Sequence, residues 1–154
     1  MDTRRCDRFV CSNGMFKFLL GVNYWPRRLN IRMWRDWNED FIKEDAEKMK
    51  ELGVRATRIF IKCEDFADEY GNVKPEALEK LKKFLDILWE QKIQAFVTFL
   101  VGHMSGKNWK IPWTDFDKIY TPEAITKTVR FVEQVASALK DHPAVAGWIL
   151  SNEL

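Results

Sequence analysis

Three cysteines, Cys6, Cys11 and Cys63, are all that this 154-residue sequence contains. So sparse and odd a set is no disulfide framework. Cys6 and Cys11 are spaced CxxxxC with no histidine or further cysteine nearby, which does not make a zinc site. No apolar run approaches the roughly 18 residues of a membrane span, so no membrane partner is expected. Charge of one sign is also lacking: 25 Lys+Arg against 23 Asp+Glu leave a net charge of +2, too balanced for a nucleic-acid footprint. A GxGxxG phosphate loop is absent, since the turn after the first apolar run reads Gly21-Val22-Asn23-Tyr24-Trp25-Pro26. Arg4 and Arg5 resemble the start of a signal peptide, but Lys17 breaks the apolar stretch from Met15 to Val22 and no small-residue cleavage site follows. With the unpaired cysteines, this points to a cytoplasmic location. Residues 1–14 have no helical or strand period and read as an unstructured leader.

What is present can bury a core. Apolar residues make up 46% of the chain and charged residues 31%, which excludes disorder, and the length suits one domain. The order of elements is strand–helix alternation. Phe18 to Asn23 is a short apolar run ended by Pro26. Asp36 with Glu39 matches a capping box, followed by Ile42, Ala46 and Met49 at helical spacing and Gly53 at the stop. Ala56 to Ile61 is the second strand. Pro75 opens a helix whose face carries Leu78, Leu81, Leu85 and Leu88, with Trp89 beside them in the core. Gln94 to Leu100 is the third strand. Thr121-Pro122 opens a helix with Ile125, Val129, Val132, Ala136 and Leu139 as its expected buried stripe, and Val145 to Ser151 is the fourth strand.

Strands separated by whole helices favour parallel pairing through right-handed crossovers. Without a glycine-rich first turn, a (β/α) barrel is preferred over a doubly wound dinucleotide sheet. The helix-to-strand links are short and the strand-to-helix links long, and in barrels the long set builds the active face. Five of the seven tryptophans fall there: Trp25, Trp34, Trp37, Trp109 and Trp113. Trp148, inside the fourth strand, reads as packing. Arg58, inside an apolar strand, needs a polar acceptor, with Glu64 and Asp65 as rivals to a site role.

The fourth strand ends Gly147-Trp148-Ile149-Leu150-Ser151-Asn152-Glu153. An Asn-Glu pair at that place resembles the acid/base signature of the clan A glycoside hydrolases, and the fit is best to the cellulase- and mannanase-like members of family 5. The resemblance runs from about Met15 to the end. FLLGVNYWP is similar to the family's first strand, and GVRATRIFI to its second, with Arg58 where the family keeps an active-site arginine. FVTFLVGHMSGKNW is similar to the third strand and its loop.

The resemblance implies an α/β fold: a parallel (β/α) TIM-barrel fragment of about four βα units, with residues 15–154 as an N-terminal half-barrel. It implies retaining hydrolysis of an oligo- or polysaccharide such as mannan or cellulose, by two carboxylates about 5–5.5 Å apart. Glu153 would be the acid/base, Asn152 a donor to the sugar 2-hydroxyl, Arg58 the orienter of the nucleophile and His103 a sugar hydrogen-bonder. Trp25, Trp109 and Trp113 would stack on sugar rings or anchor loops. No metal or organic cofactor is implied. The family's nucleophile ends its seventh strand, so these 154 residues are expected to hold one of the two carboxylates and to be inactive alone. A half-barrel exposes two strand edges, which calls for a second polypeptide or a second copy to complete it. The alternatives are a non-catalytic carbohydrate-binding or self-associating half-barrel, and a barrel enzyme of another class marked by a bound phosphate or metal.

Overall fold

The computed structural model describes residues 11–12, 15–16 and 18–153. Most of the expected leader, Cys6 included, lies outside them. The part described departs from the expectation of an unstructured leader: β1 (Cys11–Ser12) pairs antiparallel with β2 (Met15–Phe16), just past it. The body is a four-stranded sheet in the order β3 (Gly21–Asn23), β4 (Ala56–Phe60), β5 (Gln94–Val101), β8 (Val145–Asn152). All three pairings are parallel. Spatial order equals chain order, so every crossover steps the same way. A doubly wound sheet reverses direction at a switch point; this one does not, which is the winding of a barrel.

Three helices make the crossovers: α1 (Glu39–Glu51), α3 (Pro75–Glu90) and α4 (Pro122–Leu139). All three pack on one face of the sheet. Register partners in a parallel pair project to the same side, and the alternate set Ile59, Ile61, Ala95, Val97 and Phe99 is buried with Ile42, Ala46, Leu81, Phe84, Leu88, Phe131 and Val135 in one core. The other set, in register across Asn23, Arg58 and Phe96, faces away from the helices. An open depression of about 440 Å³ bordered by Gly21, Asn23, Ala56, Arg58 and Phe96 lies there. No helix among the described residues is long and apolar enough to cross a membrane.

The local signals explain the helix ends. Thr121 caps α4, its hydroxyl accepting from Ala124 N at 3.4 Å, and Pro75 sits in the first turn of α3, where no N–H is needed. α1 ends in a Schellman motif: Gly53, at φ +81°, donates to Lys50 O and Val54 N donates to Met49 O.

Four expectations need correction. The cap of α1 is Asn38, whose Oδ1 accepts from Phe41 N at 3.0 Å. Asp36 instead sits in the preceding turn and pairs with Arg32 at 3.2 Å. The first strand is shorter than Phe18–Asn23, because pairing begins only where Leu20 O receives Arg55 N and Ala56 N. Trp89 is 46% exposed; one position past Leu88, it is rotated about 100° off the buried face. The stripe of α4 is Ala124, Phe131, Val135 and Leu139, while Ile125 and Val129 are 47% and 56% exposed. Phe131 sets that rotation by packing edge-on to Phe99 with centroids 6.0 Å apart.

Candidate active site

Toward the C-terminal ends of the strands, four of the sequence-predicted residues come together around the β8 tip: Arg58, His103, Asn152 and Glu153. Arg58 lies mid-strand on the helix-free face, and its guanidinium runs along that face toward the strand tips. Nε donates to Thr98 Oγ1 at 3.0 Å, Nη2 donates to Ser151 O at 3.4 Å, and the plane lies over the Phe60 ring at 4.8 Å. These acceptors are neutral. Glu64 and Asp65 are not its partners: they bind Arg35, each at 2.5 Å. Among the described residues Arg58 therefore has no carboxylate within ion-pair distance, and a half-buried cation so placed attracts an anion to the open face.

Two residues beyond Ser151, Glu153 leaves the tip of β8 in the left-handed region, at φ +51°, with its side chain exposed. Its carbonyl accepts from His103 N at 2.9 Å, and Asn152 O accepts from Gly102 N at 2.9 Å. Asn152 Nδ2 donates to His103 O at 3.0 Å, which uses one of its two amide hydrogens and leaves the other for a ligand. His103 opens a small hairpin, β6 (His103–Met104) with β7 (Lys107–Asn108). Its Nδ1 lies 2.7 Å from Asn108 Oδ1. With Asn108 Oδ1 as the acceptor, this contact is met by a proton on Nδ1.

The three indoles separate. Trp25 is half-buried, stacked on Phe60 at 5.4 Å, with a shielded Nε1 that has no hydrogen-bond partner. Trp109 and Trp113 are buried, which corrects the expectation that they offer faces to sugar. Trp113 Nε1 donates to Thr128 Oγ1 at 3.1 Å and its ring tilts on Phe131, tying the long loop to α4. Trp109 Nε1 donates to Met104 O at 3.0 Å, and the ring packs with Phe60 and Val101. Both are loop anchors. Trp34, also on a loop, is buried in the core and donates to Phe60 O at 2.8 Å, and Trp148 stacks on Phe99 at 5.4 Å.

Sequence reasoning missed Lys62. Its side chain is 1% exposed, 3.0 Å from Asp65 Oδ2, 3.6 Å from Glu64 Oε1 and 4.0 Å above the Trp109 ring. The short helix α2 (Cys63–Phe66) that follows presents both acids. A lysine three residues before an aspartate was the available signal; its burial was not, because charged residues are seldom fully buried. Next to it, burial pushes the Cys63 thiol up to about 12, so Cys63 is a packing residue rather than a nucleophile at neutral pH.

No family model and no curated protein sequence matches the chain. Solved structures do. Exo-beta-1,4-mannosidase Op5Man5 from Opitutaceae bacterium strain TAV5 is 29% identical over 88% of this chain and 25% of its own, with a TM-score of 0.81. A variant of GH5_18 from Streptomyces cattleya, in complex with Manb1-4GlcNAc, is 25% identical over 86% of this chain and 33% of its own, at 0.79. The endo-1,4-beta-mannanase from Eisenia fetida, 18% identical over 96% and 43%, shares the fold at 0.71. The chain thus spans about a quarter to a third of the length of the first two. Its parallel sheet and helices match those of part of TIM-barrel glycoside hydrolases, and the resemblance is to the GH5 mannosidase structures.

Proposed function

We propose that this chain supplies the acid/base side of a retaining β-glycosidase acting on β-linked mannosides. One observation carries the reading: Asn152 and Glu153 end the fourth parallel strand, and the Arg58 guanidinium, free of any described carboxylate, reaches Ser151 O beside them. Glu153 protonates the leaving oxygen and later takes a proton from water. The spare Asn152 N–H binds the 2-hydroxyl, and Arg58 holds the incoming nucleophilic carboxylate ionised by its adjacent positive charge. The half-exposed Trp25 ring is the stacking surface. The similar structures, a beta-1,4-mannosidase and a Manb1-4GlcNAc complex, favour mannosides over other β-glycans.

The second carboxylate comes from a completing segment, for which the surface supplies an argument. The edge strands β3 and β8 each have one paired neighbour in the sheet. Leu150 on β8 is 60% exposed and Ile125 and Val129 on α4 are 47% and 56% exposed, while Phe18, Leu20 and Val22 are exposed at or just before β3. Each of the three crossovers within the chain is covered by a helix. Two copies of residues 18–153 arranged as one ring would bring eight strands but only six such helices, leaving both β8–β3 crevices bare. A segment that begins with an amphipathic helix and continues into a parallel strand covers Leu150, Ile125 and Val129. The reading therefore favours a second segment over a second copy.

The test expresses residues 1–154 with the polypeptide encoded downstream and measures release of reducing ends from β-mannan, Manb1-4GlcNAc and cello-oligosaccharides. Activity is expected only with both segments, with mannosides preferred and Glu153→Gln lowering kcat by about 10²–10⁴-fold. A completed protein that cleaves equally well as Glu153→Gln overturns the assignment. Quenching of tryptophan fluorescence by mannan in a completed protein that releases no reducing ends would replace it with the carbohydrate-binding reading.

A further inference from the structure

A charge network at the strand tips has no part in the chemistry above. Arg35, in the loop after β3, binds Glu64 and Asp65 of α2, and the same two acids face Lys62. Asp65 Oδ2 is near Lys62 Nζ in charge but not aligned as a hydrogen bond, so that buried oxygen has no hydrogen-bond partner. A buried ion pair contributes little net stability compared with apolar side chains of the same volume. Stability alone therefore gives no reason for a lysine here. The direction in which Lys62 points does: its ammonium lies 4.0 Å from the centroid of Trp109, within the range of a desolvated cation–π contact.

From Trp109 the contacts lead to the reacting end. Its backbone N donates to Gly102 O at 2.8 Å and its Nε1 donates to Met104 O, so the indole bridges the two sides of the β6–β7 hairpin. Between those anchor points stands His103. Its N–H donates to Glu153 O and its carbonyl accepts from Asn152 Nδ2. The hairpin thus grips the tip of β8 by the main chain, at a glutamate held in the left-handed region, a conformation that persists only where the surroundings enforce it.

We propose that Lys62 is a positioning residue for the Asn152–Glu153 tip: its ammonium seats the Trp109 ring, and Trp109 holds the hairpin whose His103 main chain grips both residues. The proposal gives significance to the tip through the glycosidase reading, but the grip itself is measured in the 154-residue chain without any activity. Failure of either is therefore told apart from failure of the other.

The experiment is amide and side-chain NMR with hydrogen exchange on Lys62→Met, Lys62→Arg and Trp109→Phe. Lys62→Met keeps the stem and removes the charge. It is expected to speed exchange at His103 N–H by about tenfold and to move the Asn152 side-chain amide resonances, while exchange in α3 stays as in the parent. Lys62→Arg, which keeps a cation over the ring, restores both signals. Should Lys62→Met fail to fold, Trp109→Phe is the decisive variant, since it keeps the aromatic face and deletes the Nε1 bond to Met104 O; the same local loosening is expected. Unchanged His103 exchange and Asn152 resonances in a folded Lys62→Met or Trp109→Phe protein overturn the proposal, as does failure of Lys62→Arg to restore them.

Discussion

Where helices hand over to strands, the connections are short, and the first two close on one repeated backbone pattern, with side chains such as Arg55 and His142 adding bonds to main-chain atoms beside them. Gly53 and Val54 bond back into α1, and Lys92 and Ile93 bond back to Trp89 O and Leu88 O at the end of α3 in the same pattern. At the opposite end, where strands hand over to helices, the loops are long and their partners are side chains. There Arg35 reaches two acids, Lys62 sits under an indole, Tyr24 donates to Asp45 at 3.0 Å, and Asn152 holds a main-chain carbonyl. The first end is a scaffold whose geometry repeats; the second is assembled from non-repeating polar contacts. Barrels separate stability from chemistry along this axis, and the difference predicts that the same kind of substitution costs more, and in a more condition-dependent way, at the strand tips.

The largest effect is expected from Asp65→Asn. Removing this carboxylate leaves Arg35 and the fully buried Lys62 with Glu64 alone, at 2.5 and 3.6 Å. A loss of about 3 kcal/mol in urea unfolding is expected for a buried pair deprived of one partner. A loss below about 1 kcal/mol would mean that the strand-tip network is surface-like. Next come two glycines that share a left-handed conformation but not an environment. At Gly53 an added Cβ meets nothing within 4 Å, so Gly53→Ala costs the backbone term, about 1 kcal/mol. At Gly71, in the strand-tip loop, the Cβ would stand 2.5 Å from Lys127 O, so Gly71→Ala is expected to cost about 2–3 kcal/mol. Equal losses at the two positions would erase the distinction between the ends.

A smaller effect appears only in alkali. Burial, and then the Asp45 carboxylate, push the Tyr24 phenol upward. A raised acid is harder to ionise folded than unfolded, so this contribution is whole below the ordinary phenol value of about 10 and is lost as pH rises above it. Tyr24→Phe should therefore flatten the fall in stability above about pH 10 by roughly 1 kcal/mol per pH unit while changing little at pH 7. A parallel decline in both proteins would contradict it.

The same asymmetry decides what the sequence reveals. Gly53, Pro75, Thr121 and Pro122 punctuate elements by local rules, and those elements stand where the residues predict. The position of Asn152 and Glu153 at a strand tip was legible because the order of elements says where the fourth strand ends. Trp109 and Trp113 were not: an indole's exposure depends on which helix or hairpin meets it, and Thr128 and Met104 are 15 and 5 positions away. Ile125 and Val129 misled because α4 carries a second apolar flank beside the one that Phe131 buries. The pairing of Lys62 with Asp65 had a local signal, but its burial did not, because the indole that covers it lies on a loop more than forty residues later and no periodicity encodes that contact.

The smallest expected effect is a gain, and it probes the scaffold end. Lys92 occupies the position that Gly53 occupies in α1: φ is +60°, its N–H donates to Trp89 O at 2.9 Å, and the next N–H donates to Leu88 O at 2.9 Å. A side chain in that conformation crowds its own carbonyl, at a cost of roughly 1–2 kcal/mol that glycine does not carry. Against this stands the greater freedom of glycine in the unfolded chain, worth about 0.5–1 kcal/mol. The balance for Lys92→Gly is a stabilisation of up to about 1 kcal/mol, read as a higher urea midpoint with an unchanged slope. No such gain is open to Glu153, the other long side chain that leaves its element in the left-handed region, because Glu153→Gly would delete the carboxylate itself. A destabilised Lys92→Gly protein would mean that the lysine side chain does more at the scaffold end than close a turn, and the separation between the two ends would have to be redrawn there.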